Sequence, residues 1–125
     1  MKTRKSILIV DDSANIRKLV RVILKRVGDY EYLEAADGRE ALEKTLKHKP
    51  DLIVLDLIIP KIYGIELIRK IKAHKETKDI PIIILTSETT YEAVEQAKEA
   101  GADVFMGKPF EPKDLRESVK ELLGS

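Results

Sequence analysis

Five short runs of aliphatic residues punctuate this chain, and the stretches between them are longer, charged on one side and apolar on the other. The runs are SILIVD (6–11), YEYLEA (30–35), DLIVLD (51–56), IPIIILT (80–86) and DVFMG (103–107). A strand that is apolar at nearly every position needs cover on both faces, which is the condition of a parallel sheet flanked by crossover helices. The chain therefore reads as five β-α units of the α/β class, a doubly wound parallel sheet with five helices.

The intervening stretches supply those helices. Ile16, Leu19, Val20, Ile23, Leu24 and Val27 recur at helical spacing against Arg17, Lys18, Arg21, Lys25 and Arg26, and Gly28 is expected to stop that helix. Asp37 with Glu40 three residues on predicts a cap, and Ala41, Leu42, Thr45 and Leu46 form the second inner stripe. Gly64 to His74 make the third helix, with Ile65, Leu67, Ile68 and Ile71 inward. TTYE predicts a capping box from Thr89 to Glu92, followed by a thin stripe of Ala93, Val94, Ala97 and Ala100 before Gly101. Pro112 opens the last helix, packed by Leu115, Val119, Leu122 and Leu123.

At 125 residues the chain is expected to be one domain, 1–125, with a core of its own. A net charge of +1 from 23 basic and 22 acidic residues leaves no bulk footprint for direct nucleic-acid binding. The absence of cysteine removes disulfides, thiolate metal sites and a cysteine nucleophile. MKTRKSILIVDD is neither a signal peptide nor a membrane span, so the expected location is the cytoplasm. The sequence ends at ELLGS after the fifth helix, which leaves open a free-standing protein or a piece of a longer one.

In a doubly wound sheet the ligand site lies outside the carboxyl ends of the strands. The residues there are Asp11, Asp12, Asp56, Thr86, Ser87, Lys108 and Pro109. Three converging carboxylates repel one another unless a cation sits among them, and an all-oxygen set suits a hard ion such as Mg²⁺. A carboxylate can also attack phosphorus, with Lys108 and a metal drawing charge off the phosphoryl oxygens and the Thr86 hydroxyl bonding one of them. Singly, each residue has a plainer explanation: Asp12 or Asp56 a turn or cap, Lys108 a solvated charge, Thr86 a strand former, Phe105 core. Capping alone does not require all three acids and a matching lysine.

The set VDDS (10–13), DLIVLDLIIPKIYG (51–64), ILTS (84–87) and GKPF (107–110) resembles the receiver domain of two-component response regulators along the whole chain. That resemblance implies a flavodoxin-like sheet in the order 2-1-3-4-5. It makes Asp56 the phosphoacceptor, taking phosphate from a histidine kinase or a histidine phosphotransfer protein. Asp12, Asp56 and the Ile58 carbonyl would bind Mg²⁺, with Asp11 holding it through water. Lys108 becomes the ion-pair partner of the phosphate, and Lys108–Pro109 a cis-peptide candidate. Thr86 and Phe105 become the switch that alters the face of helix 4, strand 5 and helix 5 for a downstream protein target.

On this reading the chain is no conventional enzyme; it catalyses its own phosphorylation and a slow dephosphorylation, slowed by the branched Ile58 two residues after the acceptor. A monomer is expected, with a phosphorylated dimer left open. Arg17, Arg21 and Lys25 would form a kinase contact patch. His48 and His74 read as surface residues. Tyr63, Ser87 and Phe105 stand where the family often has Asp, Ala and Tyr, and none of these changes removes a reacting group. The alternative is a receiver-like interaction module that no longer depends on phosphate, against which the complete Asp11, Asp12, Asp56, Thr86 and Lys108 set weighs. A flavodoxin or dinucleotide binder would need a hydroxyl- and glycine-rich loop where VDDSANIRK stands. A haloacid-type phosphatase would need an acid at Ile58.

Overall fold

The computed structural model describes residues 4–124. Strands and helices alternate: β1 (Ser6–Val10), α1 (Ala14–Leu24), β2 (Glu31–Ala35), α2 (Gly38–His48), β3 (Leu52–Leu55), α3 (Gly64–Lys72), β4 (Ile82–Thr86), α4 (Tyr91–Ala100), β5 (Val104–Gly107) and α5 (Pro112–Leu123). The strands form one parallel sheet in the order β2-β1-β3-β4-β5, with Leu8 set between Leu33 and Ile53. The expected class and strand order are both found.

Side chains alternate across the sheet and divide the core in two. Ile7, Ile9, Val54 and Ile83 pack with Val20 and Leu24 of α1 and Leu115 and Val119 of α5. Leu8, Ile53, Leu55 and Ile84 pack on the other face with Ala41, Ile68, Ile71 and Ala97 of α2, α3 and α4. Every residue of β1, β3 and β4 is buried, which is why these three read as unbroken apolar runs. The strand order reverses at β1, so a crevice opens between the carboxyl ends of β1 and β3. Among the described residues no helix is long and apolar enough to cross a membrane.

Helix ends differ in places from the sequence expectation. Helix α1 stops at Leu24, four residues before Gly28, and the turn tightens through Val27 N–H to Leu24 carbonyl at 2.9 Å. Leu19 points outward, 44% exposed, because the inward arc is already filled by Val20, Ile23 and Leu24. Helix α3 ends at Lys72, short of His74. Thr90, not Thr89, caps α4 by accepting from Ala93 N–H, so no box with Glu92 forms. Gly101 ends that helix at φ 116°, a left-handed conformation that other residues adopt only with strain. Only Ala93 and Ala97 of α4 are buried, so with roughly 0.8 kcal/mol per buried methylene it is more weakly anchored than α3, which buries three isoleucines and a leucine.

The cap of α2 is ionic. Asp37 accepts from Glu40 N–H and Glu40 accepts from Ala36 N–H, both at 2.8 Å. These backbone hydrogen bonds, with lesser help from Lys61 and Lys44, hold both carboxyls below their usual pKa values. Depressed folded values mean stability that is present above about pH 4 and lost as pH falls through the lowered values. Asp37→Asn keeps the acceptor oxygen, so its melting temperature is expected to fall less than that of the unsubstituted protein between pH 5 and pH 2.5. Parallel thermal melts check this; equal falls would deny Asp37 the role.

Candidate functional site

The backbone ladder continues one residue past β1 and β3: Asp11 N–H donates to the Ala35 carbonyl at 3.1 Å and Asp56 N–H to the Val10 carbonyl at 2.9 Å. Two acids are thereby set side by side at the crevice, 3% and 6% exposed. From β5, Lys108 N–H donates to the Thr86 carbonyl at 2.8 Å, and the Lys108–Pro109 peptide is cis. The Lys108 ammonium lies 2.8 Å from Asp11 Oδ2 and 2.9 Å from Asp56 Oδ2. Each remaining oxygen accepts from a backbone N–H two residues on, Asp11 Oδ1 from Ser13 at 2.9 Å and Asp56 Oδ1 from Ile58 at 3.0 Å.

Burial alone would lower the pKa of Lys108, but the hydrogen bonds and charges of Asp11 and Asp56 outweigh it and raise the ammonium above the ordinary lysine value. The cation is therefore permanent at neutral pH. One ammonium against two carboxylates leaves the buried group a net −1, and Asp12, exposed at the rim, adds a further negative charge. This donor set is all oxygen and under-neutralised, which fits a hard divalent cation. Among the described residues no group of three or more His, Cys, Asp or Glu side chains already converges as a metal cage. The ammonium takes the space between Asp11 and Asp56, and Asp12 faces solvent.

Thr86, fully buried at the end of β4, accepts from Glu88 N–H at 3.2 Å through its hydroxyl. Glu88 in turn accepts a short hydrogen bond from the Tyr63 hydroxyl. Ile58 exposes 48% of its surface beside the acceptor, and Ser87 is exposed. Phe105 is half-buried against the core under α4, lining a cavity of about 40 Å³ with Ala97 and Lys98.

The basic face of α1 is not a free patch. Arg17 and Arg21 clasp Glu34 of β2 at 2.8 and 2.7 Å, and Arg17 also donates to the Asp11 carbonyl at 2.7 Å. Of the expected contact residues only Lys25 remains exposed. Beside the exposed Lys18 and Lys25 the helix offers apolar surface: Leu19 is 44% and Val22 53% exposed, and Leu19 lines a cavity of about 210 Å³ whose wall includes Lys108, Pro109 and Phe110. Larger clefts, such as one of about 530 Å³ beside Tyr63, Arg69 and Gln96, lack buried charge; burial of ionised groups, not size, singles out the Asp11–Asp56–Lys108 rim.

Signals for Ser13, Tyr63 and Glu88 are weak in the sequence, since one acts through its main chain and the other two meet across 25 residues.

Residues 7–120 match the family model described as response regulator receiver domain. The phosphate regulon transcriptional regulatory protein PhoB of Pseudomonas aeruginosa is 44% identical over 119 residues, which are 95% of this chain and 52% of that protein. The chain thus spans about half the length of that regulator. Among solved structures, chemotaxis response regulator CheY4 of Vibrio cholerae superposes with a TM-score of 0.86 at 38% identity, covering 96% of this chain and 99% of that one. The receiver domain of sensor histidine kinase PA1611 from P. aeruginosa, described with a magnesium ion coordinated in its active site cleft, gives 0.87 at 27% identity, covering 98% and 100%.

Proposed function

The chain belongs to the response regulator receiver family of two-component signalling, and from that premise we propose that it is a phosphoacceptor switch whose acceptor is Asp56. Residues 1–125 act as a single receiver unit. A carboxylate oxygen of Asp56 attacks the phosphorus of a phosphohistidine, the P–N bond breaks, and the electron pair leaves on the imidazole nitrogen, which takes up a proton. Lys108 is already in place to pair with the transferred group, and Ser13 and Ile58 N–H groups hold the two carboxylates in position. Asp11, Asp12, Asp56 and the Ile58 carbonyl would hold Mg²⁺, whose chemistry is to neutralise charge on the phosphoryl oxygens.

After transfer the Thr86 hydroxyl turns to a phosphoryl oxygen and Phe105 follows inward beneath α4, the lightly anchored helix, so that the α4, β5 and α5 face changes for a downstream protein. The branched side chain of Ile58 hinders the attacking water and makes hydrolysis slow. The phosphodonor, a histidine kinase or histidine phosphotransfer protein, docks on the exposed Leu19 and Val22 next to the cavity that reaches Lys108. This takes place in the cytoplasm.

The observation that carries this reading is the single ammonium shared by two buried strand-end carboxylates. Incubation with Mg²⁺ and acetyl phosphate is expected to add one phosphoryl group, mapped to Asp56 by mass spectrometry after borohydride trapping. Chelation of the metal is expected to abolish the gain. No gain, or a label on another residue, would refute the assignment and favour a module that works without phosphate.

A further inference from the structure

The β3–α3 and β4–α4 loops are joined by Tyr63 and Glu88, neither of which has a part in the phosphoryl chemistry above. Tyr63 precedes α3, and its backbone is held because Gly64 sits against Leu57, Gly64 N–H donating to the Leu57 carbonyl at 3.0 Å. From there the hydroxyl donates to the Glu88 carboxylate, while Glu88 N–H donates to the Thr86 hydroxyl at 3.2 Å. One chain of hydrogen bonds therefore leads from an exposed phenol to the buried residue expected to move.

We propose that Tyr63 and Glu88 form a clasp that holds Thr86 in its unphosphorylated position, so that opening the clasp is part of switching. The inference rests on the phosphoacceptor reading and adds two positioning residues to it. In the proposed switch Thr86 Oγ leaves Glu88 N–H as it turns to a phosphoryl oxygen, and Tyr63 steadies Glu88 by holding its carboxylate. The phenol stays a donor across the working range: burial first, then the hydrogen bond and charge of Glu88 and the charge of Asp56, push its pKa up to about 12. The Tyr63 phenol already senses the charge of Asp56, and phosphorylation adds negative charge there, which repels the Glu88 carboxylate and weakens the hold on it. The contact is solvent-exposed, so its effect on the equilibrium is set at the lower end of hydrogen-bond strength, about threefold.

The Thr86 methyl resonance, read between unmodified and fully phosphorylated wild-type end points, reports the activated population. Tyr63→Phe is expected to raise that population about threefold in the unmodified protein. Glu88→Gln, whose amide oxygen still accepts, is expected to behave as wild type. Glu88→Ala should match Tyr63→Phe, and the double variant should add nothing further. A merely structural role would shift the melting temperature without moving this resonance toward the phosphorylated end point. Wild-type populations in Tyr63→Phe, or additive effects in the double variant, would overturn the clasp while leaving phosphate uptake at Asp56 intact. Wild type that takes up no phosphate would instead overturn the reading on which the clasp depends.

Discussion

Lys108→Met is expected to cost about 2–3 kcal/mol of stability at pH 7, below the 3–5 kcal/mol of a fully buried pair because the lysine side chain keeps 20% exposure. For a chain of this size that is a fall in melting temperature of roughly 10 °C. The loss arises less from missing attraction than from what remains: Asp11 and Asp56, their side chains 5% and 7% exposed, would face each other with no cation between them. Asp11→Asn in the same background removes one of the two charges and should restore a large part of the loss. Millimolar Mg²⁺ is another source of positive charge, so the melting temperature of Lys108→Met should respond to it more steeply than that of the unsubstituted protein. Equal responses would show that the ammonium and the metal do not compete for the same oxygens. Raised pKa also fixes the sign of the pH effect. The stability that Lys108 contributes is complete below the ordinary lysine value and is lost as pH rises through the higher folded one, a decline that Lys108→Met should lack.

The strands were legible because burial on both faces leaves little choice of residue, and the five runs expected from the sequence overlap the five strands found. Gathering of strand-end residues at one rim was legible for the same reason: parallel strands all end on the same side. Helix α1 was harder, because its apolar residues outnumber the inward positions, and composition cannot tell that Leu19 is left outside while Val20 is buried. Its basic residues misled in the opposite sense. Glu34, on the next strand, pairs with Arg17 and Arg21, and nothing in local spacing shows that a half-buried strand residue will take up two guanidinium groups. Thr89 and Thr90 are chemically identical as caps; which one serves depends on where the chain leaves β4, a tertiary fact. Which carboxylate oxygen meets which donor, and that Tyr63 reaches Glu88, likewise depend on loops whose path is set by packing.

That packing is exacting at Gly64, where the second large effect is expected. A Cβ there would stand 2.5 Å from Leu57 Cα and 2.9 Å from the Leu57 carbonyl oxygen, closer than any rotamer change can relieve because the obstacle is main chain. Gly64→Ala must therefore separate the start of α3 from the loop after β3 and lengthen the hydrogen bond from Gly64 N–H to the Leu57 carbonyl. The expected cost is about 3 kcal/mol, the upper end for overpacking. Gly28→Ala is the matched control, since its added methyl would meet the Tyr30 ring at 3.2 Å, a side chain able to yield, and it should lose under about 1 kcal/mol. Function should separate the two variants as well. The loop displaced by Gly64→Ala carries Ile58, whose N–H holds Asp56 Oδ1, so the acceptor would lose its orientation and phosphate uptake from acetyl phosphate would slow even at temperatures where the variant stays folded. Comparable stability and uptake in the two variants would mean that the close approach of Gly64 to Leu57 neither limits the fold nor holds the acceptor in place.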